Sequence, residues 1–263
     1  MVGKRRRRFA ALVVAVMVVA TGASIAHAEL SAHGDLFVTF KGGIFPNALP
    51  RKDRAPITVE FGGTVKTLTG ERPPALRGIV LSLNRGGHID THGLPTCRRG
   101  QIEPASTRQA MRACGSALVG DGYFTAKVAF PEQESFPSEG RVLAFNSIVD
   151  GQRAILAHIY GTRPAPASRV IVFLISKEGG TFGTTLSGSL PVALNQNGYL
   201  KSISLYLHRE FVYRGKRRSY LSANCSAPAG FPGAVFPFAR ASMVFEDGRS
   251  LSTVLTRSCK VKE

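Results

Sequence analysis

The chain has 263 residues, a formal net charge of +17 and no tryptophan, with 44% hydrophobic and 19% charged residues. That balance excludes a disordered or collagen-like chain, and beyond the first residues it leaves no apolar run long enough for a transmembrane helix. Charge of this size speaks to solubility and anionic partners, not to fold.

The opening residues have three parts: Lys4 with Arg5 to Arg8, the apolar run Phe9 to Ala20, and the small-x-small site Ala26-His27-Ala28. This is the layout of a secretory signal peptide spanning 1–28, cleaved after Ala28. The rival reading is an uncleaved anchor, weakened by Thr21, Gly22 and Ser24. Arg6-Arg7-Arg8-Phe9 matches a twin-arginine export signal only as loosely as any polyarginine leader does. No cysteine follows the run to take a lipid, and RSCKVKE at the C-terminus offers no apolar tail. The leader carries five basic residues and no acidic ones, so its removal lowers the charge from +17 to +12. The expected location is exported, either secreted or associated with the cell envelope.

Period-two alternation dominates the rest of the chain. Ile57, Val59 and Phe61 oppose Thr58 and Glu60; Ile79, Leu81 and Leu83 alternate with Val80, Ser82 and Asn84. Phe124, Ala126, Val128 and Phe130 share a face, as do Ile203, Leu205 and Leu207, and Ala239, Ala241, Met243 and Phe245. Each pattern predicts a strand with one buried and one wet face. Val170 to Ile175 is apolar on both faces and predicts a central strand. Asp150-Gly151 and Asp247-Gly248 separate strand patterns, and Asn197-Gly198 precedes another, which favours tight antiparallel hairpins. The predicted fold is all-β: an antiparallel β-sandwich or curved β-sheet of about a dozen strands. Residues 29–263 are expected to form one extended β unit. The alternative is two β domains, 29–160 and 169–263, joined at the Pro-rich stretch 161–168.

Four cysteines in an exported chain imply disulfides, with three possible pairings. Their spacings of 17, 111 and 34 contain no CxxC-type ligand pair. The favoured pairing is Cys97–Cys114 and Cys225–Cys259, in sequence order. Between the first pair, Pro104 suits a helix start, Ser106 or Thr107 a cap, and Gly115 the C′ position. That predicts one short, disulfide-stapled helix with Ala110 and Cys114 on one face.

Chemistry-bearing clusters are few. His88, Asp90 and His92 would share a face of a straight strand and could ligate a metal; Gly86, Gly87 and Gly93 favour a polar hairpin end instead. Asn84 to Asp90 follows a calcium loop only loosely, lacking its closing glutamate. No G-x-S-x-G elbow and no H-E-x-x-H occurs. Glu132, Glu134 and Glu139 fall in a Pro-rich stretch read as a solvated loop, and Gly179 to Gly183 as a turn. His158 and His208 lie in strand patterns, where a hydrogen-bonded histidine is common. Tyr213, Lys216, Arg217, Arg218 and Tyr220 form a basic, aromatic-flanked hairpin tip suited to anionic lipid or polymer, although a solvated turn has the same composition. Arg98, Arg99, Arg108 and Arg112 add a second basic group.

Leu83-Asn84-Arg85 through Ile89-Asp90-Thr91-His92-Gly93-Leu94-Pro95-Thr96-Cys97, together with Tyr220 through Pro232, resemble a group of exported bacterial proteins of unknown function. The resemblance runs over most of the mature chain, implies no activity and carries over no site residue. It implies that signal peptide and four cysteines belong together.

Three functions compete. The first is a non-enzymatic exported protein that binds or organises an anionic envelope or extracellular component, with no nucleic-acid partner and no cofactor. The second is a hydrolase with an unconventional site, metal-assisted at His88, Asp90 and His92. The third is a carrier of an apolar ligand inside a curved sheet.

Overall fold

The computed structural model describes residues 28–128, 130, 134–190 and 198–262. The leader expected from the sequence, up to His27, and Glu132 and Asn197 lie outside the described residues. In chain order the strands are β1 (Glu29–His33), β2 (Leu36–Phe45), the two-residue β3 (Ala48–Leu49) and β4 (Ala55–Pro56), β5 (Thr58–Thr67), β6 (Leu76–Asn84) and β7 (Gly87–Ile89). Helices α1 (Arg99–Ile102) and α2 (Thr107–Cys114) follow. Then come β8 (Leu118–Val128), β9 (Phe136–Val149), β10 (Gln152–Gly161), β11 (Ala167–Lys177), β12 (Phe182–Ser189) and β13 (Gly198–Leu207). The last elements are β14 (Glu210–Tyr213), β15 (Lys216–Ser219), β16 (Leu221–Ala223), β17 (Gly233–Phe245) and β18 (Ser250–Val261).

Thirteen of these strands form one sheet in the order β1-β2-β5-β13-β8-β9-β10-β11-β12-β6-β17-β18-β3. Neighbours are antiparallel apart from β18 and β3. Strands from 29–160 and 169–263 interleave: β13 sits between β5 and β8, and β6 between β12 and β17. Residues 162–166 join β10 to β11 as the loop of a hairpin.

The sheet curls until its long edge strands meet. No backbone ladder joins β1 to β18; side chains do. Arg249 Nη1 donates to the His33 carbonyl (3.2 Å) and pairs with Asp35, Ser31 Oγ donates to the Ser252 carbonyl, and Arg257 Nε donates to the Gly42 carbonyl of β2 (2.6 Å). The result is a nearly closed antiparallel barrel. Its inner face takes the alternating apolar residues, Val38, Phe61, Leu81, Ile155, Ile175 and Met243 among them. The outer face of β2 and β5 carries Thr39, Lys41, Glu60, Thr64 and Lys66, the polar half of the same pattern.

Turn chemistry explains the hairpins. Asp150 and Gly151 have φ of 50° and 77°, so the β9–β10 connection is the tight turn whose twist matches the strands. Asp247-Gly248 sits in a wider loop, closed where the Phe245 N–H meets the Arg249 carbonyl. Glu139 lies within β9 and is exposed, so β9 starts earlier than the Pro-rich composition implied.

Residues 142–147 and 154–158 are buried on both faces. The reason is the stapled segment outside the sheet. Cys97, Ile102, Ala110, Cys114 and Ala117 pack on Leu143, Phe145, Leu156 and Val170, which accounts for the two-faced apolar run of β11. Both disulfides form in the expected order, Cys97–Cys114 and Cys225–Cys259. Helix α2 starts at Ser106, whose Oγ accepts from the Gln109 N–H while the Gln109 side chain accepts the Ser106 N–H. Gly115 departs from expectation. It is right-handed (φ −57°) and continues into a 3₁₀ turn over Gly115–Ala117, which carries Ala117 into the outer core.

His158 is fully buried on the outer face of β10, beneath this segment. Its Nε2 bonds the Ala105 carbonyl at 2.9 Å, and Nδ1 is buried without a partner. Burial pushes its pKa below the usual histidine value, outweighing the Ala105 carbonyl and the charge of Glu103. Folding therefore resists protonation here: the contribution is complete above the unfolded histidine pKa of about 6.5 and is lost as pH falls below it. The melting temperature should drop between pH 7 and pH 5, and His158→Gln should flatten that slope. His88 has the same sign, so part of the slope remains. An unchanged slope in the variant would remove His158 from the account.

Candidate functional site

Eight barrel strands are about the number at which side chains alone fill the interior. The curled sheet here has more, and its lumen keeps two chambers. The inner one, about 130 Å³ and itself partly open, is lined almost wholly by apolar surface, with Val65, Ile79, Ile171, Leu186 and Met243 among its walls. The other, about 530 Å³, lies at the end where β2, β6 and β18 finish, and opens outward. We refer to it as the mouth. Ile44, Val59, Leu83, Leu221 and Phe236 give it apolar walls. A dry cavity near 150 Å³ suffices for benzene, and sites for small molecules run from about 300 to 1,000 Å³.

The two chambers lie on one axis. On β5, Val59 faces the mouth and Phe61 the inner chamber; on β6 the pair is Leu83 and Leu81, and on β12 Thr184 and Leu186. Successive inward residues on one strand lie about 7 Å apart. The partition is aromatic: Phe61 stacks on Phe40 at 5.9 Å and on Phe238, which lines the mouth, at 5.6 Å.

A small sheet, β4-β16-β7, roofs the mouth. Cys225–Cys259 ties the chain just after β16 to β18. Arg51 holds the segment beyond by donating to the carbonyls of Ala227, Pro228 and Phe231. The rim is polar. Arg85 occupies the β6–β7 turn, and His88, Asn84, Asn224 and Ser222 stand near it. Asn84 and Asn224 are spent on structure, donating to the carbonyls of Pro237 and Arg51. Arg85 and His88 make no side-chain hydrogen bond to another described residue. Partial desolvation, then the charge of Arg54, hold the largely exposed His88 below its usual pKa, against the opposing pull of Asp90.

His88 and Asp90 do not converge with His92 on a metal. β7 ends at Ile89, and the chain turns so that Asp90 accepts from the His92 N–H and Nδ1 (3.0 Å each) and from Arg218 Nη1 (2.8 Å). Partial burial opposes ionisation of Asp90, but these hydrogen bonds outweigh it and hold its carboxyl below the usual range. Among the described residues, no three His, Cys, Asp or Glu side chains gather closely enough to hold a metal ion.

The basic stretch is a hairpin of β14 and β15, turned by Arg214 and Gly215 at φ 50° and 72°. Lys216 and Arg217 are exposed at its tip. Arg218 is committed to Asp90, and its guanidinium lies over the Tyr213 ring. Tyr213 in turn covers Gly93, where even a Cβ would sit 2.1 Å from the ring. Tyr220 does not belong to a contact surface: it is 0% exposed, in the main core, and burial pushes its hydroxyl far above the usual tyrosine range. The hairpin and the mouth share one end of the barrel. Arg85 is the residue that sequence reasoning passed over; it was legible only as one arginine among many.

Among the described residues no helix is long and apolar enough to cross a membrane. Compared with known proteins, the chain matches no family model, no curated protein and no solved structure.

Proposed function

We propose that the protein is an exported, non-enzymatic carrier that holds an apolar small molecule inside the curled sheet and works beside an anionic surface of the cell envelope. The observation that carries this reading is the pair of apolar-walled, partly open chambers on one axis. Two disulfides go with an oxidising compartment, where such a carrier would operate. The second element, contact with an anionic partner, is favoured by Lys216 and Arg217 standing exposed at the mouth end of the barrel.

Nile red fluorescence tests the carrier. Wild-type protein should enhance it saturably, and Ala234→Phe, which fills the mouth from β17, should weaken binding about tenfold, the loss of one good hydrophobic contact. Dye enhancement that is absent, or indifferent to Ala234→Phe, would remove the mouth as a ligand site. In the same samples, anionic vesicles should co-sediment the protein at low salt and release it at high salt. Equal recovery at both salts would count against the surface contact alone.

A further inference from the structure

We infer that the ligand is a single-chain amphiphile with a compact anionic head group, seated with its head at Arg85 and His88 and its chain directed along the axis toward the inner chamber. This rests on the reading of the lumen as a ligand site. The mouth is divided by chemistry: Val59, Leu83 and Phe238 lie on the barrel side, whereas Arg85 and His88 stand at the β6–β7 edge. Among the described residues, no carboxylate lines the chamber. The acidic groups nearest in sequence to its walls are each paired with a cation, Glu60 with Lys41 at 3.9 Å, Asp90 with Arg218 at 2.8 Å and Glu178 with Arg240 at 2.7 Å. Arg85, by contrast, has no acidic partner among the described residues, and Arg54 and Arg153 add positive field at His88. An unpaired guanidinium beside an apolar pocket stabilises a carboxylate or phosphate through charge-assisted, bidentate hydrogen bonds. It gives nothing comparable to an alcohol and repels an ammonium. Beyond the Phe61–Phe238 pair the second chamber is the smaller, about 130 Å³ against about 530 Å³, which suits one chain rather than two.

Titration calorimetry with dodecanoate, dodecyl phosphate and dodecanol tests this on the wild-type protein and on Arg85→Gln combined with His88→Gln. Both side chains are exposed, so the variant should melt with the wild type. At least one anionic amphiphile should bind about tenfold or more tightly than dodecanol, the order of a charged hydrogen bond, and the double substitution should erase that preference. The tighter of the two anions identifies the head group. Equal affinity for dodecanol and both anions, or a preference that survives the double substitution, would overturn the head-group assignment while leaving the carrier reading intact. Binding of none of the three would overturn both.

Discussion

Replacing Cys225 and Cys259 together with alanine should lower the melting temperature by roughly 10 °C. The bridge spans 34 residues of chain, and closing a loop of that length in the unfolded state is worth about 4 kcal/mol. In a domain of this size each kcal/mol shifts the midpoint by about 2–4 °C. Both cysteines are buried, at 0% and 3% exposure. Alanine therefore leaves no stranded polar group, and the loss reports the crosslink. The bridge also has a local task. It fastens the chain leaving β16, the middle strand of the roof, to β18 of the barrel, and Cys259 itself lines the mouth. Dye or amphiphile binding should consequently weaken along with stability. The Cys97–Cys114 bridge closes only 17 residues outside the barrel; its removal should cost about 3 kcal/mol and leave binding unchanged. Differential scanning calorimetry of the two double variants separates these effects. A shift below about 3 °C for the Cys225/Cys259 variant would show that Arg51 and the small sheet hold the roof without it.

Phe61→Ala should cost about 3–5 kcal/mol, as truncations of buried aromatic rings do. Phe61 is 5% exposed and stacked on both sides, and each aromatic pair adds about 0.5–1.5 kcal/mol beyond its buried area. The same change opens the wall between the chambers. Stability should fall while preference shifts toward longer chains: hexadecanoate should gain on dodecanoate relative to the wild type. Urea denaturation measures the first effect and calorimetry the second. Phe61→Leu keeps more of the packing and supplies a folded variant should the alanine change prove too severe. A stability loss without any change in chain-length preference would mean that ligands stop at the mouth.

The local pattern along the chain carried most of the strands, because a curled sheet with one wet face writes its geometry directly into period-two alternation. Asp150-Gly151 carried its hairpin for the same reason: left-handed backbone at both central residues leaves few choices of side chain. Cysteine spacing carried the staple. What stayed hidden was assembled from a distance. Nothing near Leu81 says that its neighbours are Leu186 and Ala241, and nothing near Arg85 says that Asn224 and Phe236 complete a chamber around it. Tyr220 misled because it follows three basic residues and a serine at the end of β15. Its N–H bonds the Arg209 carbonyl, its own carbonyl accepts from Asp90, and its ring is turned into the core. The His88-Asp90-His92 face dissolved because β7 ends at Ile89, three residues short of the position needed to keep all three on a straight strand.

The meeting of β1 with β18 sets when the molecule can complete itself. The first strand finds its facing edge only in the last, and β6 waits on both sides for strands made from residues 182 onward. Contacts so remote in sequence make for slow folding and for a long interval with strand edges and apolar faces uncovered. A nascent chain halted before Ser250 would hold the apolar faces of the strands already made but lack the strand that faces β1, so biogenesis should depend on a chaperone until synthesis ends.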